Sequence, residues 1–100
     1  MEKRKPHHDL GEVISAVRLR GADAFTATAL VGARAMGLDA AQAIEVDCSL
    51  QRTDFYKNMT ALASSRLWQD VYHAETHVGV AYIKITLRPD GSIVIQFKEK

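Results

Sequence analysis

The apolar and polar residues in the last third of the chain alternate in a way that predicts strands. Two runs, over residues 82–87 and 93–98, place an apolar side chain at every second position and mostly polar side chains between them. Because the side chains of a strand point alternately to the two faces of a sheet, each run has one apolar face and one polar face. The apolar faces predict the core, and the polar faces are candidates for chemistry.

The turn between the two runs predicts how they pair. A three-residue loop over residues 89–91 places Leu87 opposite Ile93, whereas a four-residue loop would place an apolar residue opposite a polar one. The shorter loop also suits its sequence, because proline is favoured at the first central position of a type I turn and glycine at the left-handed position of the bulge that follows. In this register Tyr82 faces Lys98.

A third run, over residues 67–73, is also consistent with a strand, with Gln69 on its polar face. If residues 74–77 form the connection to the next strand, Gln69 lies opposite Tyr82, although a slip of two residues would make that contact diagonal. This register predicts one row of polar side chains, Gln69, Tyr82 and Lys98, across the face opposite the core.

The first half of the chain carries the spacing and capping signals of helices. Asp9, Thr26 and Asp39 each precede a stretch with helical spacing, and Asp or Thr at such a position accepts a hydrogen bond from the first helical turn. Helices followed by a three-stranded antiparallel sheet predict an α+β fold in which the helices cover the apolar face of the sheet. The predicted elements of this half are helices over residues 10–20, 27–36 and 40–48, a short helix over residues 54–59, and a short edge strand over residues 3–6.

Composition limits the class of protein. The 100 residues suffice for one domain, and 47% of them are apolar, as in an ordinary globular protein. The net charge of +1 provides no overall attraction to nucleic acid. No apolar run approaches the roughly 18 residues that a membrane span requires, so we expect a cytoplasmic protein without a membrane partner.

Cysteine and histidine usage predicts neither an internal disulfide nor a metal centre. Cys48 is the single cysteine, and the spacing of His7, His8, His73 and His77 matches no zinc site. The chain also lacks a glycine-rich phosphate loop and a nucleophile elbow. We therefore expect no metal and no cofactor.

One segment combines an aromatic side chain with a cation. Tyr56 and Lys57 are adjacent, and such a pair can stack a nucleic acid base and hold a phosphate. The alternative is that Phe55 and Met59 of this segment belong to the core and that Lys57 is only solvated. The residues alone favour this alternative.

Several stretches of the sequence change that balance, namely residues 2–4 with 6–7, 36–39, 54–60, 68–72, 82–86 and 97–100. Together they resemble the MqsR toxins. The likeness extends over nearly the whole chain with matching order and spacing. It implies a RelE-like fold, an endonuclease activity on messenger RNA, a cognate MqsA-type antitoxin as partner, and no binding to DNA by the chain itself.

The resemblance also implies the residues of the site. We expect the substrate to contact residues near the catalytic ones, and His73 stands where the family has an arginine, so that a titratable group replaces a permanent cation. The implied catalytic residues are Lys57, Gln69, Tyr82 and Lys98. The expected substrate-binding residues are Tyr56, Met59, His73 and Lys84.

The implied reaction uses the 2′-hydroxyl of RNA as the nucleophile, without a metal, and leaves a 2′,3′-cyclic phosphate and a 5′-hydroxyl. Lys57 and Lys98 suit the phosphate, Gln69 suits the holding of substrate, and Tyr82 suits the donation of a proton or the orientation of a reacting group. Tyrosine hydroxyls and lysine ammonium groups normally lose their protons only at about pH 10, so both are poor bases at neutral pH. The acid and base among Lys57, Tyr82 and His73 therefore stay unassigned.

Two other functions would use the same face. The chain could bind RNA without cutting it, or it could be a regulator that pairs with another protein through a free strand edge. Growth arrest that survives the Tyr82→Phe substitution would favour RNA binding alone. Expression without toxicity would favour the regulator.

Overall fold

The computed structural model describes residues 5–61 and 64–100 and begins with three helices at the predicted positions. The predicted caps are present, because Asp9, Thr26 and Asp39 each accept a hydrogen bond from the backbone N–H of the third residue of the helix. No helix among these residues is long and apolar enough to cross a membrane. The helices are α1 (Leu10–Arg20), α2 (Ala27–Met36) and α3 (Ala40–Cys48).

Four strands follow and form one antiparallel sheet in which each strand pairs with the next along the chain. The core lies between the sheet and the helices, which confirms the α+β prediction, although the sheet has four strands rather than three. Of the predicted edge strand over residues 3–6, residues 5–6 are not in a strand and residues 3–4 lie outside the described residues. The strands are β1 (Phe55–Ala61), β2 (Ser64–Thr76), β3 (Gly79–Leu87) and β4 (Ile93–Glu99).

β1 shows that the predicted short helix over residues 54–59 is wrong. The register against β2 shifts between Phe55 and Lys57, which makes Tyr56 the extra residue of a β-bulge. Because of the bulge, Phe55 and Asn58, which both face the core side, are three positions apart. Three is a helical spacing, so the irregular strand has the sequence pattern of a helix.

The hairpin between β3 and β4 has the predicted register. Leu87 pairs with Ile93, and Tyr82 pairs with Lys98. The N–H of Gly91 donates to the carbonyl three residues earlier, and Gly91 has a φ of 87°. The three-residue loop with a left-handed glycine is therefore confirmed.

The register between β2 and β3 differs from the prediction. β2 is longer than expected, and its connection to β3 is a turn of only two residues, 77–78. Tyr82 consequently lies opposite His73, whereas Gln69 pairs with Thr86. A slip of four residues keeps every side chain on its predicted face, so alternation alone does not reveal it.

An N-terminal segment, residues 5–9, packs against the core side of the sheet. The carboxylate of Asp70 accepts hydrogen bonds from two backbone N–H groups of this segment, from His7 at 3.0 Å and from His8 at 2.8 Å. The side-chain amide of Asn58, which pairs with Asp70 across the strands, donates to a backbone carbonyl of the segment at 2.9 Å. These bonds explain how two polar side chains are accommodated in a fully buried position.

α2 lies close against the edge strand β4. Gly32 allows this approach, because a Cβ atom at that position would collide with the carbonyl oxygen of Phe97. Just before the helix, the N–H of Thr26 donates to the carbonyl of Ile95 at 3.1 Å. The helix therefore borders the edge of the sheet and stands beside the polar face of β4.

Candidate active site

The outer face of the sheet, opposite the helices, carries all eight residues expected in the site. Paired residues of antiparallel strands point to the same face, so rows of pairs cross the sheet, with about 7 Å between neighbouring rows. Tyr56 joins the first row because its ring stacks on His73. In the order β1 to β4, the first row is Tyr56, His73, Tyr82 and Lys98, the second is Lys57, Val71, Lys84 and Gln96, and the third is Met59, Gln69, Thr86 and Val94.

The first row is a continuous series of contacts. The rings of Tyr56 and His73 are stacked, with centroids 4.1 Å apart and planes 20° apart, and the rings of His73 and Tyr82 are 5.8 Å apart. Nζ of Lys98 lies 5.2 Å from the centre of the Tyr82 ring, and Nζ of Lys57 lies 5.7 Å from that of Tyr56. Two ammonium groups therefore flank three rings, with His73 in the middle.

The β-bulge explains why Tyr56 reaches this row. In a regular strand Tyr56 would point to the face opposite that of Lys57, but the extra residue in β1 brings both side chains to the outer face. One side of the Tyr56 ring stacks on His73, and the residue remains 56% exposed. The exposed part of the ring is available to a ligand.

The third row lies apart from the first. Nε2 of Gln69 donates to Oγ1 of Thr86 at 3.1 Å. Gln69 is four residues from His73 along β2, which corresponds to about 13 Å. The predicted position of Gln69 opposite Tyr82 is therefore wrong, and His73 occupies that position.

Val71 lies in the middle of the outer face and is fully buried, although it does not belong to the core on the other side of the sheet. Its partners across the strands are Lys57 and Lys84. Lysine can lay its aliphatic stem along an apolar group while its ammonium stays in water. Val71 therefore provides an apolar surface between the two lysines at the centre of this face.

The charge of the outer face is positive. Its three rows contain three lysines and no carboxylate, which favours an anionic ligand such as a phosphodiester backbone. Burial lowers the pKa of His73 from its ordinary value of 6.5, and the nearby charge of Lys100 lowers it further. The imidazole is therefore mostly neutral at pH 7 and can accept a proton.

Two grooves of opposite charge border the first row, and the sequence predicted neither of them. The acidic groove, of about 750 Å³, lies between α3 and β2, and among the described residues its charged lining consists of Glu45, Asp54 and Glu75. The basic groove, of about 520 Å³, lies between α2 and the strands β3 and β4, and its charged lining consists of Lys84 and Lys98. Both grooves depend on where the helices pack, which no local pattern specifies.

The polar groups in the three rows are an imidazole, phenols, ammonium groups, two amides and a hydroxyl. Within residues 5–61 and 64–100, no three His, Cys, Asp or Glu side chains lie close enough together to hold a metal ion. Ammonium groups bind phosphate and stabilise its charge, and imidazole and phenol groups transfer protons. The arrangement is therefore suited to binding a phosphodiester and to acid and base catalysis.

Comparison with known proteins agrees with this chemistry. Residues 5–99 match the family model described as "Motility quorum-sensing regulator, toxin of MqsA". The chain is also 40% identical over 100 residues, the full length of both proteins, to the mRNA interferase toxin MqsR of Escherichia coli strain K12. These matches confirm the resemblance in the sequence, and the chain belongs to the MqsR toxin family.

Proposed function

We propose that this protein is the toxin of a toxin–antitoxin pair and that it cleaves messenger RNA as an endoribonuclease. Membership of the MqsR toxin family supports this function, as does the relative named an mRNA interferase. The observation that carries the proposal is the first row, in which His73 lies between two tyrosines. It belongs to a set of three rows that contains three lysines and no carboxylate. Of the four residues expected to be catalytic, Lys57, Tyr82 and Lys98 are proposed to act at the reacting phosphate together with His73, whereas Gln69 is proposed to hold the substrate.

RNA supplies the nucleophile of the proposed reaction. Its O2′ attacks the adjacent phosphorus, the bond from phosphorus to the 5′-oxygen breaks, and the products are a 2′,3′-cyclic phosphate and a 5′-hydroxyl. The reaction requires a group that accepts the proton of the 2′-hydroxyl and a group that protonates the leaving 5′-oxygen. It also requires positive charge around the phosphate as negative charge develops there.

The lysines supply this positive charge. Lys98 is next to Tyr82 at one end of the first row, Lys57 is next to Tyr56 at the other end, and Lys84 lies between them in the second row. A well-placed donor can increase the rate by about 10²-fold or more by stabilising charge in the transition state. We assign Lys57 and Lys98 to the reacting phosphate and Lys84 to a neighbouring one.

His73 and Tyr82 carry the two proton transfers. They lie opposite each other on β2 and β3, so both side chains can reach one phosphate. The neutral imidazole of His73 accepts the proton of the 2′-hydroxyl, and the phenol of Tyr82 donates its proton to the 5′-oxygen. The imidazolium then loses its proton to water and the phenolate regains one, which restores both groups.

The remaining residues hold the substrate away from the reacting phosphate. Tyr56 stacks a base on its exposed ring surface. Gln69, whose amide is held by Thr86, and its partner Met59 contact the RNA at the third row.

An MqsA-type antitoxin is the proposed protein partner, because the description of the family calls its members toxins of MqsA. Overexpression of the chain should arrest growth, and co-expression of the cognate antitoxin should relieve the arrest. Growth arrest by a Tyr82→Phe variant as strong as that by the wild type would instead indicate RNA binding without cleavage.

Cleavage of a defined RNA by the purified protein tests the enzyme. The wild type should cut RNA in the presence of EDTA and leave a DNA copy intact, because DNA lacks the 2′-hydroxyl. Lys57→Ala and Tyr82→Phe should each cut about 10²-fold more slowly without a change in thermal unfolding. Lys5→Ala, which removes an exposed lysine of the N-terminal segment, is the matched control and should cut normally. A requirement for metal, or full activity of Lys57→Ala, would contradict the mechanism.

A further inference from the structure

The basic groove extends the outer face beyond the residues of the proposed reaction. Its volume of about 520 Å³ lies within the roughly 300–1,000 Å³ of pockets that bind small organic ligands. Tyr82 and Lys98 line the groove and also belong to the first row. A ligand in the groove is therefore directly beside the proposed reacting phosphate.

The position of α2 creates the groove. Gly32 lets the helix approach the backbone of β4, and this places Thr28 and Val31 of the helix in one wall. Val31 is 68% exposed, and only two other large apolar side chains among the described residues, Leu19 and Tyr56, are classed as exposed. Tyr56 and Val31 lie at opposite ends of the first row, so two of these three exposed apolar groups flank the proposed site.

The lining of the groove matches the chemistry of a nucleoside. Val31 supplies an apolar surface, Thr28 a hydroxyl, Gln96 an amide, and Lys84 and Lys98 supply ammonium groups. A nucleoside in RNA combines an apolar base face with polar base edges and a phosphate on each side. The three groups of atoms are thus complementary to an apolar wall, hydrogen-bonding side chains and cations.

The acidic groove on the other side of His73 determines on which side the RNA leaves the first row. Its three carboxylates, on Glu45, Asp54 and Glu75, repel phosphate. The basic groove has two lysines and no carboxylate in its lining among the described residues. An RNA strand that leaves the first row is therefore attracted towards α2 and repelled from α3.

We propose that the basic groove binds one of the two nucleosides that flank the cleaved phosphate, and that the exposed ring of Tyr56 binds the other. This inference rests on the proposed ribonuclease function. The RNA then crosses the sheet from β1 to β4 with the reacting phosphate between His73 and Tyr82. The apolar contact of the groove nucleoside is Val31.

Kinetics of two matched variants test the groove. Val31→Asp places a carboxylate where the base and its phosphates bind, and we expect kcat/KM for RNA to fall by about tenfold, as expected for the loss of one base contact. Leu19→Asp makes the same kind of change at an 86% exposed position on α1 and should alter kcat/KM by less than about twofold. Thermal unfolding of both variants should match that of the wild type, because both side chains are exposed.

RNAs that lack a single base assign the contact. Removal of the base on one side of the cut should lower kcat/KM of the wild type by about tenfold and should cause no further loss in Val31→Asp. Removal of the base on the other side of the cut should leave kcat/KM of Tyr56→Ala unchanged. A Val31→Asp variant that cuts every RNA as Leu19→Asp does would overturn the groove assignment. The assignment would also be overturned if removal of either base lowered kcat/KM of Val31→Asp by the same further factor. A wild type that cuts no RNA would instead refute the proposed function itself.

Discussion

The two faces of the same four strands place polar side chains in opposite environments. On the core face, Asn58 and Asp70 are fully buried, and both form hydrogen bonds with the backbone of the N-terminal segment. On the outer face, Tyr56, His73 and Tyr82 contact one another through their rings and remain at least partly accessible. The core-face groups hold the chain together, whereas the outer-face groups are arranged for a ligand.

This difference separates stability from activity. Loss of a core-face acceptor leaves partly buried N–H groups without a hydrogen bond, so it should lower the free energy of unfolding. Loss of an outer-face group leaves no such group behind, so the fold should persist while the reaction slows. Three substitutions test this separation, and the largest effect is expected on the core face.

Asp70→Ala should lower the free energy of unfolding by about 3 kcal/mol, because a hydrogen bond to a charged group contributes about 1.5–3 kcal/mol. Asp70 accepts two such bonds, from the N–H groups of His7 and His8. Denaturant titration measures the loss. The RNA cleavage rate per folded molecule should not change, because Asp70 points away from the outer face.

Asp90→Ala is the matched control for this substitution. Asp90 also accepts two hydrogen bonds, from the N–H and the hydroxyl of Ser92 at 2.9 and 2.7 Å, but it lies in the exposed loop between β3 and β4. Its loss should affect unfolding much less than that of Asp70. Equal effects of the two substitutions, or a slower reaction of fully folded Asp70→Ala, would show that the faces are not separate.

The sequence predicted which face each strand residue occupies better than it predicted which residues meet. Tyr82 and Lys98 were matched correctly because Pro89 and Gly91 specify a loop length. Tyr82 and His73 were missed because a slip of four residues leaves alternation unchanged. A local signal was nevertheless present, because threonine and glycine are residues that favour tight turns. In the structure, Oγ1 of Thr76 donates to the carbonyl of Gly79 and accepts from the N–H of Val78, and these two bonds close the turn.

The bulge and the grooves were beyond the reach of local patterns for different physical reasons. A bulge inserts one residue into a strand, so Phe55 and Asn58 acquire a helical spacing without a helix. The basic groove depends on the contact of Gly32 with the backbone of β4, which is 65 residues further along the chain. Family resemblance supplied Lys57 as a site residue, because the predicted helix would not have placed it on the sheet.

His73→Gln tests the outer face. Loss of the proposed base should lower kcat/KM for RNA by about 10²-fold, with little change in unfolding. Burial and the charge of Lys100 lower the pKa of His73, so the wild-type rate should fall only when the pH drops below about 6.5 and the imidazole gains a proton. That decrease on the acidic side should be absent in His73→Gln.

Two further variants distinguish a base from a group that merely packs beside Tyr82. Lys100→Ala removes a positive charge that disfavours the imidazolium, so the pKa of His73 should rise and the acidic decrease in rate should begin at a higher pH. His77→Gln changes an exposed histidine of the neighbouring turn and should leave both rate and pH profile unaltered. An acidic decrease that persists in His73→Gln would exclude His73 as the base.

Asp47 on α3 tests whether burial alone makes a polar side chain stabilising. It is almost fully buried, but neither carboxylate oxygen has a hydrogen-bond partner among the residues that the structure describes. Burial raises its pKa well above the ordinary value of 3.8. The folded protein therefore retains a proton that the unfolded chain loses at about pH 4, so stability is greatest below that pH and falls as the pH rises towards the raised pKa.

Asp47→Asn should remove this dependence and increase the free energy of unfolding at pH 7 by on the order of 1 kcal/mol, with no difference from the wild type near pH 3. Urea titrations of both proteins between pH 3 and pH 8 measure the free energy of unfolding and its pH dependence. The control is Glu45→Gln, at an exposed position of the same helix, which should change neither quantity. Lower stability of Asp47→Asn at pH 7 would mean that the carboxylate has a favourable role despite its burial. The expected gain would instead show that Asp70 is stabilising because of its backbone partners and not because of its position, since Asp47 is equally buried and has none among the described residues.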